Sequence, residues 1–349
     1  MFKRSGAGNY AYTSARSKAK KSKLLKAEDY NKLLAMSVPE ISRYIGELGY
    51  SKEITDMADR HEGLELLEYA TYANMAKAFR SILGAATGDC KNMIGGYLKK
   101  WVYTNALTIL RGKKYGLSVD QIHMDLVPIG YMSHDEVERM IGMSTVEESI
   151  NAFCSSVHIR IPDEIMGIYK TQGDLAPVED YFTKAYYRDL LSAVEANDRP
   201  TTVFRNFVRS LIDIKNVETL LKFKIESIDV ETVMGFYIPG GREIDERIMS
   251  QLAASPDVAS LLNDMQQLKM YADIKDSLSA DTTVTGVISV LAHYEGQLAN
   301  AVASLYPLSV LPAVDYILHK EQEVRNLRLI AYGVETGLDN ATVKDLLVI

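Results

Sequence analysis

The feature that most constrains this chain is a helix that its sequence writes three times. Phe204 to Lys224 reads FRNFVRSLIDIKNVETLLKFK. Phe204, Phe207, Val208, Leu211, Ile214, Val217 and Leu221 step by three or four residues, so they share one helix face. Asn216 sits in the middle, a weak helix former that needs a hydrogen-bond partner if buried. Asn105, 111 residues earlier in KKWVYTNALTILRGKKYG, and Asn326, 110 residues later in HKEQEVRNLRLIAYG, occupy the same place.

At those offsets the apolar columns align without gaps. Met93, Phe204 and Val314 share a column, as do Tyr97, Val208 and Leu318, then Tyr103, Ile214 and Val324. Ala106, Val217 and Leu327 follow, then Ile109, Leu220 and Ile330, then Leu110, Leu221 and Ala331. Beyond the helix, Leu117, Ile228 and Leu338 precede three good N-cap residues, Ser118, Asp229 and Asp339. Ile122, Val233 and Val343 fall inside the helix that each cap opens. Copies one and two then share a proline turn, LVPIGY around Pro128 and Gly130 and FYIPGGRE around Pro239 and Gly241. Each proline stands 23 residues after its asparagine, a place that Ile349 holds in the third copy.

The start of the chain supplies what the third copy lacks. Glu28 to Ile41 (EDYNKLLAMSVPEI) resembles Asp135 to Glu148 and Glu246 to Ala259, with Ser37, Ser144 and Ser255 aligned. The expectation is an all-α fold of three similar helical units: residues 64–155, residues 176–265, and residues 284–349 completed by residues 1–47. Between the first two units, Ile161 to Asp174 looks least regular, and the HIRIP stretch at His158 is the best short strand candidate. Lys269 to Ser279 bridges to the third unit. Ser133 with Glu136, and Ser144 with Glu147, carry the capping-box pattern.

Composition narrows the function. No run of 18 apolar residues exists, so no membrane span is expected. The basic N-terminus lacks the apolar stretch of a secretory signal. Cys90 and Cys154 make no metal or disulfide pattern, which fits a reducing cytoplasm. Residues 1–26 hold eight Lys or Arg and no acid, leaving 31 basic against 46 acidic residues, about −15, in the rest. So acidic a body is not expected to bind nucleic acid. The run Lys18, Lys20, Lys21, Lys23 is equally well a solvated helix face or a contact surface, whether for anionic lipid or an acidic partner.

Catalytic motifs are missing. There is no phosphate-binding loop, no Gly-x-Gly-x-x-Gly, no Cys-x-x-Cys and no His-Glu-x-x-His, since His61-Glu62 lacks the second histidine. His123 and His134 flank the first proline turn, but no carboxylate–histidine pair repeats, so each is expected to be a surface or internally satisfied residue. Gly240, Gly241 and Arg242 could present backbone N–H groups to an anion, but a tight turn between helices is the expected reading, since the first copy has a single Gly there. Asn340-Ala-Thr342 fits a glycosylation acceptor in a chain with no sign of secretion. The recurring asparagines are expected to fix packing or bond to backbone across a helix crossing. No catalytic, cofactor-binding or metal-binding residue is assigned.

Five passages now carry a resemblance: NYAYTSARSKAKKSKLL, KKWVYTNALTILRGKKYG, LVPIGYM, LIDIKNVETLLKFK with FYIPGGR, and HKEQEVRNLRLIAYG. The chain resembles the family of the C subunit of the archaeal A-type ATP synthase, homologous to the d subunit of the vacuolar-type proton pump. Where the family commonly has Glu-Ile-Asp-x-x-Asn, Asp213 and Asn216 match and Leu211 departs. The resemblance implies a non-catalytic, funnel-shaped protein of three units with pseudo-threefold symmetry. It implies a place on the cytoplasmic face of the membrane rotor ring (made of the proteolipid), holding the foot of the central stalk, which is the D and F subunits. Association with the membrane is then peripheral, through the ring, and the basic arm at Lys18 to Lys26 is one candidate for ring contact. The coupling ion, H⁺ or Na⁺, and the direction of ATP chemistry belong to the other subunits. An independent helical-repeat adaptor, or a helical enzyme using a central cavity, is the alternative from another class.

Overall fold

A computed structural model describes residues 8–129, 132–194, 198–226, 228–278 and 283–349. Gly130 of the first proline turn and Ser279 at the end of the bridge to the third unit lie outside the described residues. Every regular element among those described is helical, with no β-strand.

The repeated helix comes out as the spacing predicts. The second copy is one helix, Arg199–Glu226, and the third is Leu311–Thr336. The first is divided into Gly88–Leu98 and Lys100–Lys114, where Lys99 tightens the turn and its N–H reaches the carbonyls of both Gly95 and Gly96. All eighteen residues of the six apolar columns are buried. A fully apolar stripe recurring at helical period has to be covered on that face, and here it forms the protein's core.

The ends of the three copies agree at the level of single hydrogen bonds. The N–H groups of Leu117, Ile228 and Leu338 donate to the carbonyls of Gly112, Phe223 and Gly333, five residues back. Such a wide closing turn needs a left-handed residue, and Gly116 and Gly337 supply it at φ 71° and 69°. The next helix then starts on the expected caps, because Ser118, Asp229 and Asp339 accept from the N–H of Gln121, Thr232 and Thr342. In copies one and three this short helix lies almost on the backbone of the long one. A Cβ at Gly112 would come within 2.5 Å of Ile122, and one at Gly333 within 2.5 Å of Val343. Copy two has Phe223 there, and its ring packs on Phe236 at 4.8 Å.

The first two long helices are each followed by a helix–turn–helix pair: His134–Gly142 with Val146–Ser156, and Glu246–Ala253 with Val258–Asp264. Near the N-terminus the resembling stretch forms Ala27–Leu33 and Val38–Ile45. This N-terminal pair packs on the far end of the chain. Tyr30, Leu33, Val38, Ile41 and Ile45 share a hydrophobic cluster with Leu327, Ile330, Ala331, Val343 and Leu347. The helix Tyr10–Lys21 precedes them and lies along Gly63–Ala85 and Leu311–Thr336.

Three local expectations need correction. Ile161 to Asp174 is not irregular. It contains the helix Asp163–Gln172, entered from Pro162 and ended by left-handed Gly173. HIRIP is not a strand, since His158 takes a left-handed φ of 59° and closes the helix Val146–Ser156, the N–H of Ile159 returning to the Cys154 carbonyl. The helix after Ser144 is capped one residue later, by Thr145 with Glu148, while the Ser144 N–H binds the same Glu148 carboxylate. The Ser133–Glu136 box forms as expected.

Candidate functional site: repeated clamps and a charged seam

The three asparagines do one job in three places. Asn105 Nδ2 donates to the Val127 carbonyl at 2.8 Å and its Oδ1 accepts the Val127 N–H at 3.0 Å. Asn216 makes the same pair with Ile238, at 2.9 Å both ways. Asn326 makes it with Val348, at 2.7 and 3.1 Å. Each partner lies 22 residues on, immediately before the proline position. An amide matches a peptide group donor for acceptor, so one side chain satisfies both backbone groups of a chain that crosses the helix without regular structure. All three amides are buried, where an unmatched polar group is costly. Asparagine therefore recurs for geometry and not for chemistry.

Three residues before two of these asparagines stands an acid. Asp213 is buried, and its carboxylate accepts the N–H groups of Arg242, Glu243 and Ile244 at 2.9, 2.9 and 3.0 Å. The Gly240–Gly241–Arg242 turn is a tight turn as expected, and the N–H groups it exposes are taken by the protein's own Asp213. Arg209 holds the other side, its guanidinium donating to the Gly240 and Gly241 carbonyls. Gly241 has no room for a Cβ, which would overlap Asp213 Oδ1 and the Ile244 carbonyl. Burial raises the Asp213 pKa to about 6, against the pull of the three N–H donors, from Glu243, Ile244 and Arg242. A folded pKa above the ordinary 3.8 means the folded state holds the proton more tightly. The contribution of Asp213 to stability is therefore largest below pH 4 and falls as pH rises through about 6. The melting-temperature difference between the native chain and Asp213→Asn, followed over that window, is expected to shift steadily in the variant's favour. A pH-independent difference would contradict it.

Glu323 holds the equivalent position in the third copy. Its Oε2 accepts the N–H of Leu25 at 2.6 Å. Its Oε1 accepts from Tyr50 Oη at 2.5 Å and from Lys320 Nζ at 2.6 Å. Lys320 also donates to Tyr50 Oη and lies over that ring, 4.3 Å from its centroid. Burial lowers the Lys320 pKa, with Glu323 opposing the shift, and it raises that of Tyr50 well above its ordinary value. Lys21 of the basic arm pairs with Asp315 at 2.7 Å. It is partly exposed and is held by this internal pair and by the Asn300 side chain.

Five residues before each asparagine stand Lys100, Leu211 and Glu321. Lys100 and Glu321 meet across the copies at 2.5 Å, and Trp101 Nε1 donates to the same carboxylate at 2.8 Å. Leu211, where the resemblance leads one to expect a glutamate, is buried among apolar neighbours.

His61, His123, His134, His293 and His319 have side-chain partners, and His293 Nε2 also accepts the distant Ile349 N–H. His61 binds Glu65 and stacks on Tyr69, and His293 and His319 bind carbonyls one turn back. His123 and His134 both approach Glu138, at 3.0 and 3.6 Å, a carboxylate–histidine contact that no repeated spacing announces. Among the described residues no group of three His, Cys, Asp or Glu is placed to hold a metal ion. Among those residues, too, no helix is long and apolar enough to cross a membrane.

Fold and contacts together define a class, an all-helical protein whose buried polar side chains hold helix crossings in register. More particularly, the chain belongs to the ATP synthase (C/AC39) subunit family, whose model matches residues 13–346. Curated relatives agree over nearly full length. The C subunit of the A-type ATP synthase of Archaeoglobus fulgidus is 33% identical, over 97% of this chain and 96% of the relative. That of Methanosarcina mazei is 31% identical over 99% and 95%, and that of Haloferax volcanii 31% over 99% of each. The chain is a non-catalytic subunit of a rotary ATP synthase.

Proposed function

We propose that this protein is the socket that couples the central axle, the D and F subunits, to the membrane rotor ring on the cytoplasmic face. In this reading the chain is a funnel of three units, residues 64–155, 176–265, and 284–349 closed by 1–47, related by pseudo-threefold symmetry. The observation that carries it is the matched pair of acid cradles. Glu243 N–H on Asp213 closes the second unit, and Leu25 N–H on Glu323 stands in the same relation to the third. With the Asp135 and Glu246 stretches aligned to Glu28, Leu25 is the counterpart of Glu243, so the chain's start fills the role that sequence-adjacent residues fill in unit two. A closed helical ring suits a torque coupling. Load is spread over many buried contacts in place of one pocket, and broad contact resists shear.

Pull-down of the full chain with the D–F pair and with ring-containing membranes, followed by analytical ultracentrifugation, tests the reading. One copy bridging both is expected. Binding to neither would sink it and would favour an independent adaptor.

A further inference from the structure

The helix Tyr10–Lys21 lies on Gly63–Ala85 and Leu311–Thr336 through a polar face. Its buried residues are Thr13, Ser14 and Ser17, and none of them is apolar. Within the helix, Tyr10 packs on the main core, and only in part. Leu311–Thr336, by contrast, buries sixteen residues, most of them apolar. Polar bonds hold the short helix instead. At its start, Asn9 Nδ2 donates to the Ala85 carbonyl and Asn9 Oδ1 accepts the Thr87 N–H, both at 2.8 Å. In the middle, Arg16 Nη2 donates to Ser81 Oγ at 2.9 Å. At its end, Lys21 Nζ binds Asp315 at 2.7 Å and Asn300 Oδ1 at 3.0 Å. The fit is imperfect at two places. Arg16 Nε is buried with no hydrogen-bond partner. A cavity of about 300 Å³ lies at the far end, lined in part by Lys21, Leu24, Asn300 and His319.

We propose that Asn9 and the helix Tyr10–Lys21 form a strap that opens and recloses as one unit while the rest of the protein stays folded. Docking without apolar burial gains little from the hydrophobic effect, and each hydrogen bond lost on opening is replaced in part by water. Twelve residues are also too few to hold a helix in water, so undocking and unwinding go together. The hinge is residues 22–26, which are not helical. Beyond it Ala27–Leu33 stays in place, because Tyr30 and Leu33 are buried in an apolar cluster. Opening uncovers Ser81 and Asp315, on helices from opposite ends of the chain, and frees four cations, Arg16, Lys18, Lys20 and Lys21. The proposal does not rest on the socket reading, since the strap and its catches lie within this chain.

Hydrogen–deuterium exchange of the full chain, followed by mass spectrometry, tests it. Amides of residues 13–21 are expected to exchange together, about a hundredfold or more faster than the interior amides of Leu311–Thr336. Protection equal to that of Leu311–Thr336 overturns the proposal, and this measurement on the native chain stands without any variant. Asn9→Ala and Lys21→Met each remove one catch at opposite ends of the helix. Each is expected to speed exchange about tenfold along the whole strap, including the end about 18 Å away, and to leave Leu311–Thr336 unchanged. Faster exchange confined to the altered end would be simple fraying, and it overturns the strap equally.

Discussion

Asn216→Leu is expected to destabilise the protein by about 3–4 kcal/mol, because it orphans two buried backbone groups at once. Leucine fills the volume, so no large cavity opens. The loss falls on the N–H and carbonyl of Ile238, which lie inside the core and bond to the Asn216 amide. Each unpaired group costs about 1–3 kcal/mol, and the added apolar burial of leucine offsets part of that. The melting temperature should fall by about 4–6 °C in a chain of this size. Asn105→Leu should behave alike, because Asn105 holds Val127 by the same pair of bonds. Differential scanning calorimetry checks both. An unchanged melting point for Asn216→Leu would remove the clamp from the account of stability. Assembly with the rest of the synthase should weaken in step with folding.

Glu323→Ala is expected to be comparably severe, at about 3–5 kcal/mol, since it leaves a buried ammonium unpaired. Lys320 is about 5% exposed and depends on Glu323 at 2.6 Å. The same truncation orphans Leu25 N–H and removes the acceptor of the Tyr50 hydroxyl. The damage should be directional. Leu25 and Tyr50 belong to the N-terminal segment, so their release should loosen residues 18–26 from the Leu311–Thr336 helix. Limited trypsin digestion reads this directly, because Lys20, Lys21, Lys23 and Lys26 all lie there. Faster cleavage there than in the native chain is expected. The double variant Lys320→Met/Glu323→Leu should recover part of the lost stability, because it removes the unpaired charge along with its partner. A double variant worse than Glu323→Ala would mean that the damage is loss of shape and not of charge pairing.

Much of this was legible in the chain alone. The long helices follow from apolar residues at helical spacing, as Arg199–Glu226 and Leu311–Thr336 do. The caps at Ser118, Asp229 and Asp339 follow from residue type at a fixed offset from the asparagine. The asparagine clamp was readable as a polar residue that fixes packing or bonds to backbone across a helix crossing, but which backbone group it holds was not. What escaped was of two kinds. Some was local but rare: His158 accepts a left-handed conformation that glycine usually takes and that histidine takes only now and then. Some was distant: nothing in the Gly240–Gly241–Arg242 turn says that its anion is Asp213, and nothing near Glu323 says that it holds Leu25 and Tyr50.

That division has a physical cause. Helix formation, capping and turn closure are decided by groups within about one turn of each other, so their signals are short patterns, and repetition in the chain multiplies them. The sequence by itself therefore determined the repeated long helices, their buried faces, the caps that follow them and the recurrence of that pattern along the chain. Which charges meet is decided only when helices pack. Lys100 finds Glu321, Lys21 finds Asp315, and Leu25 finds Glu323, across 221, 294 and 298 residues. A carboxylate and an ammonium carry no label for one another along the chain. Only burial, which makes an unpaired charge costly, selects the pairs, and burial is a property of the tertiary structure.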